Sequence, residues 1–187
     1  MAEPFIFFQC KDAFIFANRL DAIGLRAIRA RPAMEVIFDS MMQFAEGQFE
    51  THGSLGAEVW EPLAQSTIDD KSARALPFPT APLIAEGTLA TSLSVKHAPH
   101  QIRLVDDEQA AIGTDLPYFQ YHQSDSPRSG NLPRRPVFDF NERTAEGFAN
   151  IAGEWVFFGA LGRRSYKTWS RRDAGGRFER NPAVTIF

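Results

Sequence analysis

Between residues 32 and 51 the apolar positions recur at steps of three and four. Met34, Ile37, Phe38, Met41, Phe44, Ala45 and Phe49 fall on one face of a helix at this spacing. Pro32 suits a first helical turn, Glu35 lies near the positive end of the helix dipole, and Gly53 offers a stop after Thr51 and His52. The pattern predicts a helix over about 32–51 and a helical segment over about 18–30 before it. The same period returns in TAEGFANIAGEWVFFGAL (144–161), where Phe148, Ile151, Ala152, Trp155 and Phe158 predict a C-terminal helix. Gly147 and Gly153 weaken it by about 1 kcal/mol each relative to Ala.

A shorter period appears elsewhere. PFIFFQCKDAFIF (4–16), dense in Phe and Ile, predicts one strand or two short ones broken near Lys11-Asp12. SLSVKHA (92–98), QIRLVDD (101–107) and AAIGT (110–114) alternate partially. Breaks at Pro99-His100 and Asp107-Glu108 make them an expected antiparallel meander. Residues 54–82 are rich in Pro and small side chains and predict loop with one short helix. Ser66 with Asp69 and Thr67 with Asp70 give that helix an N-terminal capping pattern. Residues 124–136, with three prolines and Gly130, predict loop. The expected fold class is α+β, a long N-terminal helix packed on a small antiparallel sheet, with long loops and a C-terminal helix. It occupies one domain over 1–161, followed by a basic C-terminal extension over 162–187.

Composition agrees with an ordinary globular chain: 187 residues, 44% apolar and 23% charged. Seventeen phenylalanines favour packing or association surfaces over disorder. No apolar run approaches the ~18 residues of a membrane span. Residues 1–16 lack a basic leader and a small-residue cleavage site, so no signal peptide is expected. Cys10 stands alone and can form no internal disulfide. The net charge of −3 hides a split. Residues 1–126 carry 9 basic and 17 acidic side chains, and residues 127–187 carry 11 and 6. Opposite potentials at the two ends suit head-to-tail stacking of copies, or simply a solvated basic tail. The basic residues are scattered and lack a nucleic-acid-binding motif.

Candidate chemistry is sparse. His97 and His100 lie three apart, but Pro99 intervenes at a break and no cysteine or carboxylate cluster completes a metal set. His52 sits by the expected helix end, where an imidazole can bond free carbonyls. His122 follows two tyrosines and is the one candidate general base, with Ser124 or Asp125 as partner in a hydrolase reading. A histidine fixing an aromatic corner is the plainer reading. No phosphate-binding glycine loop and no Gly-x-Ser-x-Gly elbow occurs. Asp106, Asp107 and Glu108 read as a solvated turn. No catalytic residue, cofactor or metal is assigned.

Four fragments, in order and flanked by two helices, carry a resemblance. They are VWEPLAQST (59–67), PLIAEGTLATSL (82–93), AIGTDLPYFQYHQ (111–123) and LPRRPVF (132–138), preceded by a long helix ending in FAEGQFETHG and followed by a C-terminal helix. This series resembles the phage virion morphogenesis family, also called phage tail completion proteins, over roughly residues 32–158. Phe119, Ser124-Asp125 and Val137 depart from the family pattern. The resemblance implies a non-enzymatic virion part that completes or terminates the tail at the head–tail joint. It implies a ring, expected as a hexamer, around the DNA channel. The implied partners are copies of itself, the tail tube protein, head–tail connector or neck proteins, and genomic DNA passing through without sequence specificity. A head–tail adaptor or stopper is the alternative place in the particle. Within this reading Gly113 permits a bend, Pro117 stops the strand, and Tyr118, Tyr121 and His122 share one helical turn. That elbow launches a loop whose Arg128, Arg134 and Arg135 reach acidic groups on an adjacent copy. These six residues are the subunit-interface candidates.

Overall fold

A computed structural model describes residues 13–123 and 132–161. Among them lie six helices and one two-stranded antiparallel sheet, an α+β arrangement. The order is α1 (Ala13–Ala27), α2 (Arg31–Glu50), α3 (Gln65–Ala73), α4 (Thr88–Ser94), β1 (Gln101–Val105), β2 (Ala110–Thr114), α5 (Gln120–Gln123) and α6 (Glu142–Phe158). No described helix is long and apolar enough to cross a membrane.

α2 is the spine. Its apolar stripe buries Ala33, Phe38, Met41, Phe44, Ala45 and Phe49, and it packs against both strands, α4 and α6. Pro32 sits in its first turn, where the missing N–H has no helical partner to lose. At the other end Gly53 N–H donates to the Gln48 carbonyl at 2.8 Å, and His52 takes the left-handed conformation at φ 53°. The expected stop is therefore shared: His52 turns the chain and Gly53 completes the turn. Gly53 is itself left-handed at φ 86°, and a Cβ there would lie 2.2 Å from the Trp60 ring.

Two apolar clusters sit along α2. One joins Phe49, Trp60, Leu89, Leu93 and Val137; the other joins Phe38, Met41, Met42 and Val105. Aromatic rings link the elements between them. Phe140 lies 5.0 Å from Phe44, 5.2 Å from Phe148 and 5.9 Å from Phe138, and Phe138 lies 6.5 Å from Phe119. These edge-on and tilted contacts suit the ring quadrupoles and employ five of the seventeen phenylalanines. Across the sheet, Arg103 pairs with Glu35 of α2 and lies over the Phe38 ring, 5.0 Å from its centre. The Arg103 hydrogen bond holds the Glu35 carboxyl below its ordinary value, against some desolvation, with help from the charges of Arg103, Lys96 and Arg31.

α6 starts two residues earlier than its apolar period, because Asn141 caps it, accepting from Thr144 N–H at 3.0 Å. It ends at Gly159, left-handed at φ 64°. The C-terminal ends of α1 and α6 cap each other. Trp155 Nε1 donates to the Arg26 and Arg29 carbonyls, and Arg26 donates to the Val156 and Phe157 carbonyls.

Three expectations are corrected. The strand over 4–16 does not hold for its described part, since Ala13–Phe16 open α1. The meander has two strands, with Gln101 opposite Thr114 and Val105 opposite Ala110. Its third segment is helix: Leu89, Ser92 and Leu93 are buried at helical spacing, and Ser92 and Ser94 bond carbonyls one turn back. The Ser-Leu-Ser-Val alternation imitates a strand, but the serines serve the helix. The short helix expected in 54–82 is α3, yet its N-cap is Ala64 and no side chain caps it.

Gly53→Ala should cost about 2–5 kcal/mol, from left-handed strain plus the Trp60 clash. Gly153→Ala, in α6 with open space around its Cβ, should gain about 0.5–1 kcal/mol. Urea denaturation of both variants checks the pair. The contribution of Glu35 is present above the unfolded carboxylate value and is lost as pH falls through its lowered folded value. Thermal melts at descending pH should therefore fall less steeply for Glu35→Gln than for the parent.

Candidate functional site

Two irregular segments run side by side and define the site. Residues 55–62 carry Pro62, and residues 132–141 carry Pro133 and Pro136, so neither can complete a β ladder. Their backbone groups are satisfied instead by side chains. Trp60 Nε1 donates to the Pro136 carbonyl at 2.8 Å. Arg135, 4% exposed, donates to the carbonyls of Glu61 at 2.8 Å and Pro62 at 3.1 Å. Asp139 accepts from Glu58 N–H at 2.8 Å. From α2, the fully buried Gln48 accepts from Leu55 and Gly56 N–H and reaches the Val137 carbonyl.

The elbow clamps the same seam from the other side. The Ile112 side chain packs on the core, and β2 continues through Gly113, which pairs with Ile102. Gly113 does not make the bend; the chain leaves the sheet after Thr114. Thr114 Oγ1 lies 3.2 Å from the Ser92 hydroxyl, which can accept its proton, and itself accepts from Leu116 N–H. Pro117 then opens a turn that winds into α5, with Phe119 N–H donating to the Leu116 carbonyl. Gln123, at the end of α5, locks the result. Its amide donates to the Phe138 carbonyl at 2.8 Å and accepts from Val137 N–H at 2.9 Å and Phe138 N–H at 3.3 Å.

Tyr118 and Tyr121 are about half exposed and His122 is partly buried. Desolvation raises the Tyr118 phenol above its ordinary value, with Glu86 adding to the shift. Arg134 forms an exposed fork with Glu58 at 3.0 and 3.1 Å, of the kind that contributes about 0–1 kcal/mol. Arg135 is the candidate that the fold turns inward. Its guanidinium holds carbonyls of its own chain and does not reach outward. Arg128 lies outside the described residues, as do Ser124 and Asp125, the partners that a hydrolytic His122 requires.

His52, His97 and His100 share a different role. All three take left-handed conformations, at φ 53°, 60° and 67°. His100 Nδ1 lies 2.7 Å from Asp115 Oδ1, and His97 N–H donates to Gln101. They turn the chain, and no group of metal-binding side chains occurs among the described residues. Asp106 likewise shapes its turn, accepting from Glu108 and Gln109 N–H, which holds its carboxyl below the ordinary value.

Beside the elbow opens a cleft of about 730 Å³. Leu63, Leu83 and Ile84 give it apolar walls, while Lys71, His122 and Arg135 bring donors. Lys71 is 7% exposed, and its ammonium donates to the carbonyls of Ala81 at 2.8 Å and Ile84 at 2.7 Å. Burial lowers the pKa of both Lys71 and Arg135, for Arg135 against the nearby Glu61 charge. Sequence reasoning missed Lys71. The one available signal is its place three residues after Ile68, on a helix otherwise polar.

Comparison with protein-family models, with curated proteins and with solved structures finds no significant match to this chain.

Gln123→Ala removes three hydrogen bonds and leaves partly buried backbone groups of Val137 and Phe138 unsatisfied. It should cost about 1–3 kcal/mol and lower the thermal midpoint. Arg134→Ala should change stability by less than about 1 kcal/mol. Differential scanning calorimetry of the two variants separates the buried clamp from the surface pair.

Proposed function

We propose that this protein is a structural virion subunit that completes or terminates a phage tail at the head–tail joint, assembling as a ring around the DNA channel. The observation that carries the reading is the ordered motif series, together with where its residues meet. Trp60, Pro62, Gln123, Arg135 and Pro136 come from three separate motifs and join in one seam. Their polar groups bind backbone within the seam, the work expected of residues that define a scaffold.

The surface supports association. Ile15, Phe16, Leu20 and Leu25 of α1 are each at least half exposed, and so are Phe157 and Phe158 at the end of α6. Exposed apolar side chains on one helix pair favour burial against a neighbouring molecule. The exposed rings of Tyr118 and Tyr121 add amphipathic contact area of the kind enriched at interfaces. On this reading the protein lives in the tail or neck of the particle and is assembled in the host cytoplasm. Its neighbours are its own copies, the tail tube and the connector, and it takes no cofactor. A place one step up the axis, as adaptor or stopper, is the second reading, and a reconstruction of the particle separates the two.

Electron microscopy of the purified protein, alone and mixed with tail tube or neck proteins, should show rings. A species that stays monomeric and binds neither partner, or one that turns over a substrate and loses that activity in His122→Ala, overturns the reading. The double variant Phe157→Ser/Phe158→Ser should shift the sedimentation profile toward monomer without lowering the melting temperature, because both side chains are already exposed.

A further inference from the structure

The cleft beside the elbow places two buried cations against an apolar wall. Lys71 and Arg135 are 7% and 4% exposed, and both line the cleft. Among the described residues, neither has a carboxylate within salt-bridge distance; their partners are the carbonyls of Ala81, Ile84, Glu61 and Pro62. An ammonium has three N–H donors and a guanidinium five, so each keeps donors beyond those bonds. Burial disfavours both cations, whose hydrogen-bond partners are carbonyl dipoles, with Glu61 adding a more distant charge for Arg135, and an anion brought beside them relieves that cost.

We propose that this cleft binds a carboxylate carried on an apolar body, with Lys71 and Arg135 receiving the charge and Leu63, Leu83, Ile84 and Leu132 covering the body. The volume of about 730 Å³ lies within the usual range of ligand pockets, roughly 300–1,000 Å³. Glu61 and Glu86 also line the cleft but are exposed, so its charge grades from acidic outside to basic inside. Tyr118 and His122 line the same space. Burial lowers the pKa of both cations, and a bound carboxylate opposes that shift. The ligand is either an acidic side chain within an apolar peptide or a free aliphatic acid. The inference stands apart from the tail reading, since it concerns what the cleft holds and not how copies assemble.

Calorimetric titration of the full chain tests it with two matched pairs. One is acetyl-Leu-Glu-Leu-amide against its glutamine counterpart; the other is hexanoate against hexanamide. At least one acid should bind, at least tenfold more tightly than its amide. The acid that binds identifies the source, peptide or free acid. Thr67 lines the cleft from the exposed first turn of α3, where an acidic residue suits the helix dipole. Thr67→Asp should therefore leave the melt unchanged and weaken the acid at least tenfold. Lys71→Met should erase the preference for acid over amide; if that variant fails to fold, Thr67→Asp decides alone. The proposal is overturned if the amides match their acids, if neither acid binds up to about 10 mM, or if Thr67→Asp leaves acid affinity unchanged.

Discussion

The structure depends on how two proline-bearing segments satisfy their backbone. Residues 55–62 and 132–141 are pressed together under α2, where free amides and carbonyls are costly. Proline withholds the donors that a ladder needs, so the indole of Trp60, the guanidinium of Arg135 and the amides of Gln48 and Gln123 take the place of strand partners. The Trp60 and Arg135 bonds tie the two segments to each other, Gln48 ties the first to α2, and Gln123 ties the second to the elbow. The seam adds to the packing of Leu116 and Phe119 in holding the elbow against the core.

Packing follows from that seam. Val137, between the clamped Pro136 and Phe138, is driven fully into the cluster of Phe49, Trp60, Leu89 and Leu93. Phe138 and Phe140 then point their rings into the aromatic series that reaches α2 and α6. The cleft is a by-product of the same arrangement. Arg135 gathers the carbonyls of Glu61 and Pro62, Lys71 gathers those of Ala81 and Ile84, and Glu61, Pro62, Ile84 and both cations line the cleft. Two cations that order loops thus also set the electrostatics of the space between them.

Much of this frame was legible in the residues, and the illegible parts share a cause. α2 and α6 announce themselves because seven and five apolar side chains keep a helical period. The hairpin shows through Asp106–Gln109 between two short apolar runs. α4 was misread because serine at alternating positions looks like a strand, while the deciding fact, serine hydroxyls bonding carbonyls one turn back, has no sequence mark. Arg135 reads as an outward contact because an arginine on a loop suits acidic groups of an adjacent copy. Its inward turn depends on carbonyls more than seventy residues away. Gln123 stood in a recognised motif, yet its double role as donor and acceptor exists only once Val137 and Phe138 arrive beside it. Lys71 was invisible for the same reason. Period and turn chemistry are local; polar partnerships across the fold are not.

The reciprocal caps of Trp155 and Arg26 couple two ends of the described chain. α1, fifteen residues and so about 22 Å long, is bound to α6 near its own last turn and is exposed along most of its remaining length. The bonds that tie it to α6 gather at one place, so a displacement of α1 is felt through them at Val156 and Phe157. Anything that tilts this helix therefore also twists the point from which the chain departs after Gly159.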